Sequence, residues 1–582
     1  MGEFSNGFLA FALEHGLDLM RTRNANGRSL FSGYLFSGYW GALVLWIVSF
    51  QVFLPAQEPP RIRIPERALP QAAQLELVLQ QGQTLENSKR WGDALAHYEK
   101  AIKLFPGHRD IQQHYHLAQG HYDVSRRYAD ISFKNGFRQL DAGKAAQTYD
   151  EVLTKIQTFY VESPNWRRLV QRGTEGFLIA LTEPAFIQTH LQQLPVARRL
   201  ALEQKIRKRV RESRITSRYQ AQQVVLNISR LAENEIRLAP SACIMEYTCG
   251  ALMELDLYSG FLTVNQLADV FAQIEGNFVG LGIELKLVPG ALSIVKVIDG
   301  GPASQAGLKV GDRIVEVDGQ TVLKLKPIVA ADKLRGQEGS KVRVAIVHPA
   351  GFRENYVLTR CRVEVPSIED VKILLPQDGI GYLKITSFQK TTERSMDAAL
   401  QSLNRAGMRG LILDLRGNPG GFLDASIDLA DKFLSRGLIV STRGRSAKED
   451  VDYQAHDLGT WKTPLIVLID KDSASASEIF AGAIRDHRRG LVVGQCSYGK
   501  GSVQGIFPLT ASPVGVRLTT AKFYSPNGQA ISGRGVTPDV LVQQVSKPPV
   551  AIGDSPKVVA DPVLDTAVKL LRKEVLAVVP QR

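Results

Sequence analysis

Cysteine is scarce in this sequence, and its scarcity excludes two architectures. Cys243, Cys249, Cys361 and Cys496 are the only four in 582 residues; their spacing matches no metal-ligand pattern, and four in so long a chain make no disulfide framework. Cys243 and Cys249 are near enough in sequence to pair in an oxidising compartment, with two small buried thiols as the alternative. A full membrane span is also missing near the amino end. The run WGALVLWIVSFQVFL, Trp40 to Leu54, carries no charge but has only fifteen residues, short of the roughly 20 that cross a bilayer. Arg21, Arg23 and Arg28 precede it, and Pro55 and Ala56 follow it. It reads as an export signal. The long leader before it and the bulky Leu54 leave two fates open, removal near Ala56 or retention as an anchor. Either one places the chain on the periplasmic or cell-envelope side, exported or membrane-tethered.

What is abundant is material for several cores. Hydrophobic residues make up 44% and charged residues 22%, a globular composition, and at roughly 150 residues per domain the length amounts to about three or four units. The net charge of +13 favours acidic partners only if it is concentrated on one surface. Its densest cluster runs from Arg198 to Arg218, with Leu202, Ile206, Val210 and Ile215 near helical spacing. No recognition motif accompanies that cluster. It reads as a solvated helix face rather than an anionic-membrane or nucleic-acid site, and nucleic acid is not an expected partner.

The organisation follows from changes in period. After a signal segment (1–56) and a proline-rich linker (57–73), residues 74–164 read as helical. Within them Gly82, Ala94, Tyr98, Ala101 and Pro106 match the spacing of a tetratricopeptide repeat, and GKAAQTYDEVL, Gly143 to Leu153, is a weaker echo. Such a region is either a docking surface for an adaptor protein or an ordinary helical hairpin. Residues 165–275 continue helical and end on ELDLYSGFLTVNQ, Glu254 to Gln266. From Gly276 the pattern turns to strands, and GGPASQAGLKVGDRIVEVDGQTV, Gly300 to Val322, together with the Gly-Leu-Gly-Ile loop before it, resembles a PDZ domain over 276–362. That resemblance implies that Gly280, Leu281, Gly282 and Ile283 bind a substrate's carboxyl terminus, the peptide adding as a strand and its carboxylate meeting backbone N–H groups. In residues 363–545 short apolar strands alternate with helical text, which predicts an α/β core covered on both faces. A linker and helix (546–582) close the chain.

Three turns in that core hold the candidate chemistry: DLRGNPGG (Asp414 to Gly421), DSASASEIFAGAIR (Asp472 to Arg485) and YGKGSVQG (Tyr498 to Gly505). Ser475 is placed at a helix start, where unpaired N–H groups and the positive dipole end favour an oxyanion. By itself Ser475 with Glu478 reads first as a capping box, the hydroxyl closing the helix. Histidine offers no base for the serine: of ten, only His456 and His487 fall within the core, and neither is in a glycine-rich turn. Lys500 lies between Gly499 and Gly501. Its free pKa of about 10.4 makes lysine useless as a base, but desolvation lowers it toward about 7 to 8. Gln504, four residues on, orients the amine without adding a carboxylate that would raise the pKa again.

DLRGNPGG, SASASE, GKGSVQ and KFYSPNGQAISGRGVTPDV (Lys522 to Val540), with ELDLYSGFLT and the PDZ text, resemble the carboxyl-terminal processing protease family in order and spacing over about Trp166 to Arg572. The resemblance implies a multidomain α+β protein with a tetratricopeptide-like helical region, a PDZ domain and a serine peptidase core of the ClpP/crotonase-like type. It also implies Ser475 as nucleophile, Lys500 as base and Gln504 as its assistant, with Gly420, Gly421 and Ala476 forming the oxyanion hole. The expected substrates are polypeptides with exposed carboxyl-terminal tails, and no metal or organic cofactor is implied. Asp414, Arg416 and Glu478 are expected to pair or cap rather than catalyse. Cys496, where the family usually has no thiol, reads as inert filler or a redox-sensitive site. The competing classes are an inactive PDZ and repeat scaffold and a Ser/His hydrolase.

Overall fold

The computed structural model describes residues 71–138, 140–324, 333–543 and 561–578. The segment Trp40 to Leu54 lies outside them, and no helix among the described residues is long and apolar enough to cross a membrane. Among these residues the chain divides into two compact units between Tyr122 and Asp123.

In the smaller unit the helices Gln71–Asn87 and Trp91–Leu104 form a hairpin. Gly82 lies against the Tyr98 ring so closely that a Cβ there would clash with it, and Ala94, Tyr98 and Ala101 are buried. Small residues at that spacing allow the close crossing.

The larger unit begins with a helical layer. Ala142–Phe159, Trp166–Ala180, Val196–Glu212, Arg218–Ile236 and Pro240–Leu252 share one core. The segment read as a weak second repeat belongs to this core: Ala145, Tyr149, Val152, Leu153 and Ile156 are buried in it. The break therefore falls near 122 rather than 164, because this helix has its apolar face covered by later helices. Trp166–Ala180 and Pro240–Leu252 cross backbone to backbone, a Cβ on Gly250 falling 2.7 Å from the Gly173 Cα. Cys243 and Cys249 are both free, buried thiols in that second helix. Six residues of helix separate them by about 9 Å along the axis, beyond disulfide reach. The basic helix Val196–Glu212 buries Leu202, Ile206 and Val210, which leaves Arg198, Lys205, Arg207, Lys208, Arg209 and Arg211 exposed.

The strand-rich insertion forms an antiparallel sheet in the order Ile283–Val288, Ala291–Val297, Arg313–Val317, Lys341–Val347, Arg353–Thr359. Asn277–Gly280 pairs with Cys361–Glu364, so the insertion is closed where the chain enters and leaves it.

The catalytic candidates stand on a six-stranded sheet. Ile380–Ile385, Gly410–Asp414, Leu465–Ile469, Leu491–Gly494 and Val540–Leu541 are parallel, and Ile368–Leu375 is antiparallel at one edge. Alternate residues face opposite layers. Leu411, Leu413, Leu465, Val467 and Ile469 pack under the helices Thr392–Arg405, Leu423–Asp431 and Ala476–Asp486, whereas Ile412, Ile466, Leu468 and Val493 meet Val563, Ala567, Leu571 and Val575 of Pro562–Val578. Burial on both faces explains the unbroken apolar strands. A second sheet contains Gly260–Leu262, Gly515–Tyr524, Gly437–Gly444 and Val451–Ala455, with Ser502–Pro508 also paired to Gly515–Tyr524.

Leu571 is fully buried and lies against the bare Gly410 backbone. Leu571→Ala is expected to lower stability by about 2–5 kcal/mol, read from the shift of the urea midpoint. A midpoint unchanged from the parent would contradict the docking of this helix on the sheet.

Candidate active site

Three neighbouring parallel strands, Gly410–Asp414, Leu465–Ile469 and Leu491–Gly494, each lead at their carboxyl ends into one of the three turns singled out by sequence. The crevice at the carboxyl ends of parallel strands is where open α/β sheets place their ligands. Topology thus brings together residues that are up to 86 positions apart, from Asp414 to Lys500.

The first two turns are bolted to each other by buried polar groups. Asn418 is fully buried; its Nδ2 donates to the Ile385 carbonyl at 2.9 Å, and its own carbonyl accepts the Ala474 N–H and the Ser477 hydroxyl, both at 3.0 Å. Asp470 Oδ1 accepts N–H groups from Gly417 at 2.9 Å and Ser473 at 3.1 Å. The Ser473 hydroxyl donates to the Leu415 carbonyl at 2.8 Å.

Ser475 stands just before the helix Ala476–Asp486 with φ 55° and ψ −115°. An ordinary N-cap has extended backbone, and a non-glycine residue held outside the common regions stores about 1–3 kcal/mol. The capping geometry is present, since the Ser475 N–H donates to Glu478 Oε2 at 2.7 Å. A cap alone does not require the strain. Gly420 packs directly on this residue: a Cβ there would lie 2.7 Å from the Ser475 Cβ and 2.9 Å from the Ala476 nitrogen, and its φ of 103° suits only glycine. Gly421, with φ 139°, forms an isolated parallel bridge to Phe388.

Glu478 does more than cap. Its carboxylate is fully buried and accepts four hydrogen bonds, from the N–H groups of Ser475 (2.7 Å), Gly499 (2.7 Å) and Lys500 (2.9 Å) and from the Ser497 hydroxyl (2.6 Å). Burial pushes its pKa up, against those bonds. The serine turn and the lysine turn therefore hang from one side chain.

Lys500 has its amine enclosed, and burial first, then the nearby Arg517 charge, lowers its pKa to about 8, with Glu478 acting in the opposite sense. The Lys500 Nζ lies 5.4 Å from the centre of the Tyr258 ring. Gln504 is on the adjoining strand Ser502–Pro508, and its Nε2 donates to the Ser502 hydroxyl at 2.8 Å; this structure gives it that partner rather than the expected lysine. One donor of the expected oxyanion hole also needs correction. The Gly420 N–H is committed to Asn418 Oδ1 at 2.8 Å, so Gly420 supplies close approach, and the candidate donors here are the N–H groups of Gly421 and Ala476.

The remaining charged and thiol groups have structural surroundings. Asp414 is buried and accepts from Arg416 Nη2 at 2.6 Å and the Tyr382 hydroxyl at 2.8 Å, while Arg416 Nη1 reaches Asp561 at 2.9 Å. His456 is exposed beside Asp431, and His487 Nε2 bonds to the Leu438 carbonyl at 2.7 Å. Cys496 is exposed, its Sγ 3.3 Å from the Arg534 carbonyl. In the insertion, Gly282 has φ 73° and lies against Gly301, Leu281 is buried, and Ile283 opens the edge strand.

The model of peptidase family S41 matches residues 379–542, and that of the PDZ domain matches residues 293–347. The carboxy-terminal-processing protease of Bartonella bacilliformis is 39% identical over 301 residues, which are 51% of this chain and 68% of that protein. The chain belongs to the carboxyl-terminal processing protease family. The carboxyl-terminal-processing protease of Synechocystis sp. is 32% identical over 292 residues, 49% of this chain and 68% of its own length. Carboxy-terminal processing protease CtpA of Bacillus subtilis is 32% identical over 289 residues, 50% of this chain and 61% of its own. This carboxyl-terminal processing protease is thus a peptidase with an inserted PDZ domain and a helical amino-terminal region, in a mixed α+β fold.

Sequence reading missed Asn418 and Asp470, which staple the turns, and undervalued Glu478. A signal was available for Asn418 in its place within a turn between two Gly-rich steps; none was available for the reach of Glu478 across 22 residues to Lys500. Glu478→Gln keeps the size but turns an NH2 group toward N–H donors. The expected result is an approximately hundredfold loss of kcat, the cost of a misplaced reacting group, with about 1–3 kcal/mol of stability lost to unsatisfied donors. Steady-state kinetics and a urea titration check both, and parental values in the two would contradict this role.

Proposed function

We propose that this protease cleaves with Ser475 as nucleophile and Lys500 as general base. The observation that carries the reading is the pair of backbone bonds to Glu478, one from Ser475 and one from Lys500, with Ser475 held in a strained conformation at a helix start. As the Ser475 Oγ attacks the scissile carbonyl carbon, its proton passes to the neutral Lys500 amine. The oxygen that becomes negative is held by the N–H groups of Ala476 and Gly421, a kind of contact worth a hundredfold or more in rate. The ammonium of Lys500 then protonates the leaving amine, the acyl-enzyme remains, and a water deprotonated by Lys500 releases it. Gln504 reorients from Ser502 toward the amine when substrate is bound.

Around that centre the reading extends to partners. The edge strand Ile283–Val288 receives the substrate tail as an added strand, with the Gly280–Ile283 loop at its terminal carboxylate. The core is read as ClpP/crotonase-like, the hairpin built on Gly82 and Tyr98 as a tetratricopeptide-like docking surface for an adaptor, and the location as the periplasmic or cell-envelope side, exported or tethered.

Ser475→Ala and Lys500→Ala are each expected to abolish cleavage of a loosely folded polypeptide with an apolar carboxyl terminus; retained cleavage in both removes the dyad. Because the base works neutral and its pKa is about 8, kcat/KM should rise with pH through about 8 and fall about tenfold for each unit below it. An acid limb near 6.5, the range of histidine, would contradict a lysine base. Amidating the substrate's terminal carboxylate should raise KM about tenfold with kcat unchanged, the loss of about 1.4 kcal/mol of carboxylate binding. An unchanged KM would remove tail capture from the account.

A further inference from the structure

The wall against which Lys500 rests carries a second cation, half-buried as Lys500 is. Tyr258 presents its ring face to the Lys500 amine, centroid to Nζ 5.4 Å, and its backbone carbonyl accepts the Nε–H of Arg517 at 2.8 Å. One residue therefore holds both basic groups. Tyr258 is itself fixed: Asp256 Oδ1 accepts its N–H at 2.7 Å, that of Ser259 at 2.8 Å, and the Thr519 hydroxyl at 3.1 Å. Arg517 is fixed as firmly, because its strand pairs on both sides, with Gly260 opposite it in one neighbour and Ile506 in the other. That second neighbour, Ser502–Pro508, begins two residues after Lys500.

Among the described residues, charges from several parts of the chain act on this pair. Glu478 of the helix Ala476–Asp486 faces Lys500, but both its oxygens are engaged by N–H and O–H donors. Arg517 faces it from Gly515–Tyr524. Behind Arg517 stand Arg126, from the helix Arg109–Ala129, and Asp256, which act on it in opposite senses. Burial and Arg126 bring Arg517 down to about 10, so it stays cationic through the range in which Lys500 titrates. A lysine or histidine in its place would start closer to losing its charge.

We propose that Arg517 is a positioning residue for the lysine base: held by the backbone carbonyl of Tyr258, whose ring supports Lys500, its charge opposes protonation of the amine. This rests on the reading of Lys500 as the base. Its effect on the reaction is argued through Lys500, on which its charge acts. Burial alone also disfavours the ammonium, but it does so only while the site stays dry. A fixed like charge persists when substrate and water enter, and neighbouring charges shift a pKa by about one unit or more.

The test is the pH profile of kcat/KM for the full chain and its Arg517→Gln and Arg517→Lys variants. Arg517→Gln should move the acid limb up by about one unit, a loss of roughly tenfold at pH 7 that nearly disappears by about pH 9.5. Arg517→Lys, which keeps a cation that starts closer to losing its charge, should move the limb up by less than Arg517→Gln does. A uniform loss across pH with the limb still near 8 in Arg517→Gln overturns the proposal and leaves Arg517 a packing group. Should that variant not fold, as judged by its thermal melt, Arg517→Met, which keeps an unbranched stem, is read by the same limb. Lys500→Ala separates the two ideas: if it retains activity with a limb near 8, the base assignment has failed, whatever Arg517 does.

Discussion

One buried carboxylate sets the geometry of this site. Glu478 projects from the first turn of its helix into a space with no water-facing side, and its two oxygens collect the N–H groups of Ser475, Gly499 and Lys500 and the hydroxyl of Ser497. An ionised group so placed is destabilising unless its lone pairs are filled. Here they are filled by backbone from both turns that hold the proposed dyad. The requirement to satisfy one charge thereby fixes the separation of two side chains that lie 25 residues apart.

The rest of the fold makes that arrangement possible. A parallel sheet buried on both faces holds three turns side by side, and Asn418 and Asp470 tie two of them together. Gly420, lacking a Cβ, admits the close contact with Ser475 that leaves the N–H groups of Gly421 and Ala476 to be considered as oxyanion donors. From the other side the Tyr258 ring lies against the lysine amine, and the strand Gly515–Tyr524 holds Tyr258 through Arg517. The helical layer braces that strand: the Val161 N–H donates to the Thr519 carbonyl at 2.8 Å, and Glu151 accepts N–H groups of Thr510 and Ala511 at the tip of the hairpin. The strain at Ser475 is held in place by contacts from several directions, the condition under which such strain persists.

Much of this was written legibly in the sequence, and the part that was not has a physical reason. The apolar strands with their glycine-bounded ends announced a buried parallel sheet, and the turns that carry Ser475 and Lys500 do leave the carboxyl ends of its neighbouring strands. The Ser-x-x-Glu pair announced a helix start. It said nothing of where else the Glu478 carboxylate would go, because satisfying a buried charge depends on chain that returns after another strand. Tyr258 and Arg517 escaped notice for the same reason: they meet only through a strand pairing across more than 250 residues. GKAAQTYDEVL misled in the opposite way. Its small and aromatic residues have the spacing of a repeat, but spacing does not say which helices cover a face, and the covering helices came from residues 166 to 252. Cys243 and Cys249 looked close in sequence and are held apart by the helix they share.

The account stands or falls on the protonation of one amine. Titration of the Lys500 side chain, followed by the 13C shift of its ε-carbon in labelled protein and assigned by its loss in Lys500→Ala, measures this directly. A midpoint near 8 is the predicted result. A midpoint at about 10.4, the value of a solvated lysine, would contradict it, because such an amine is protonated at neutral pH and cannot accept the proton of Ser475.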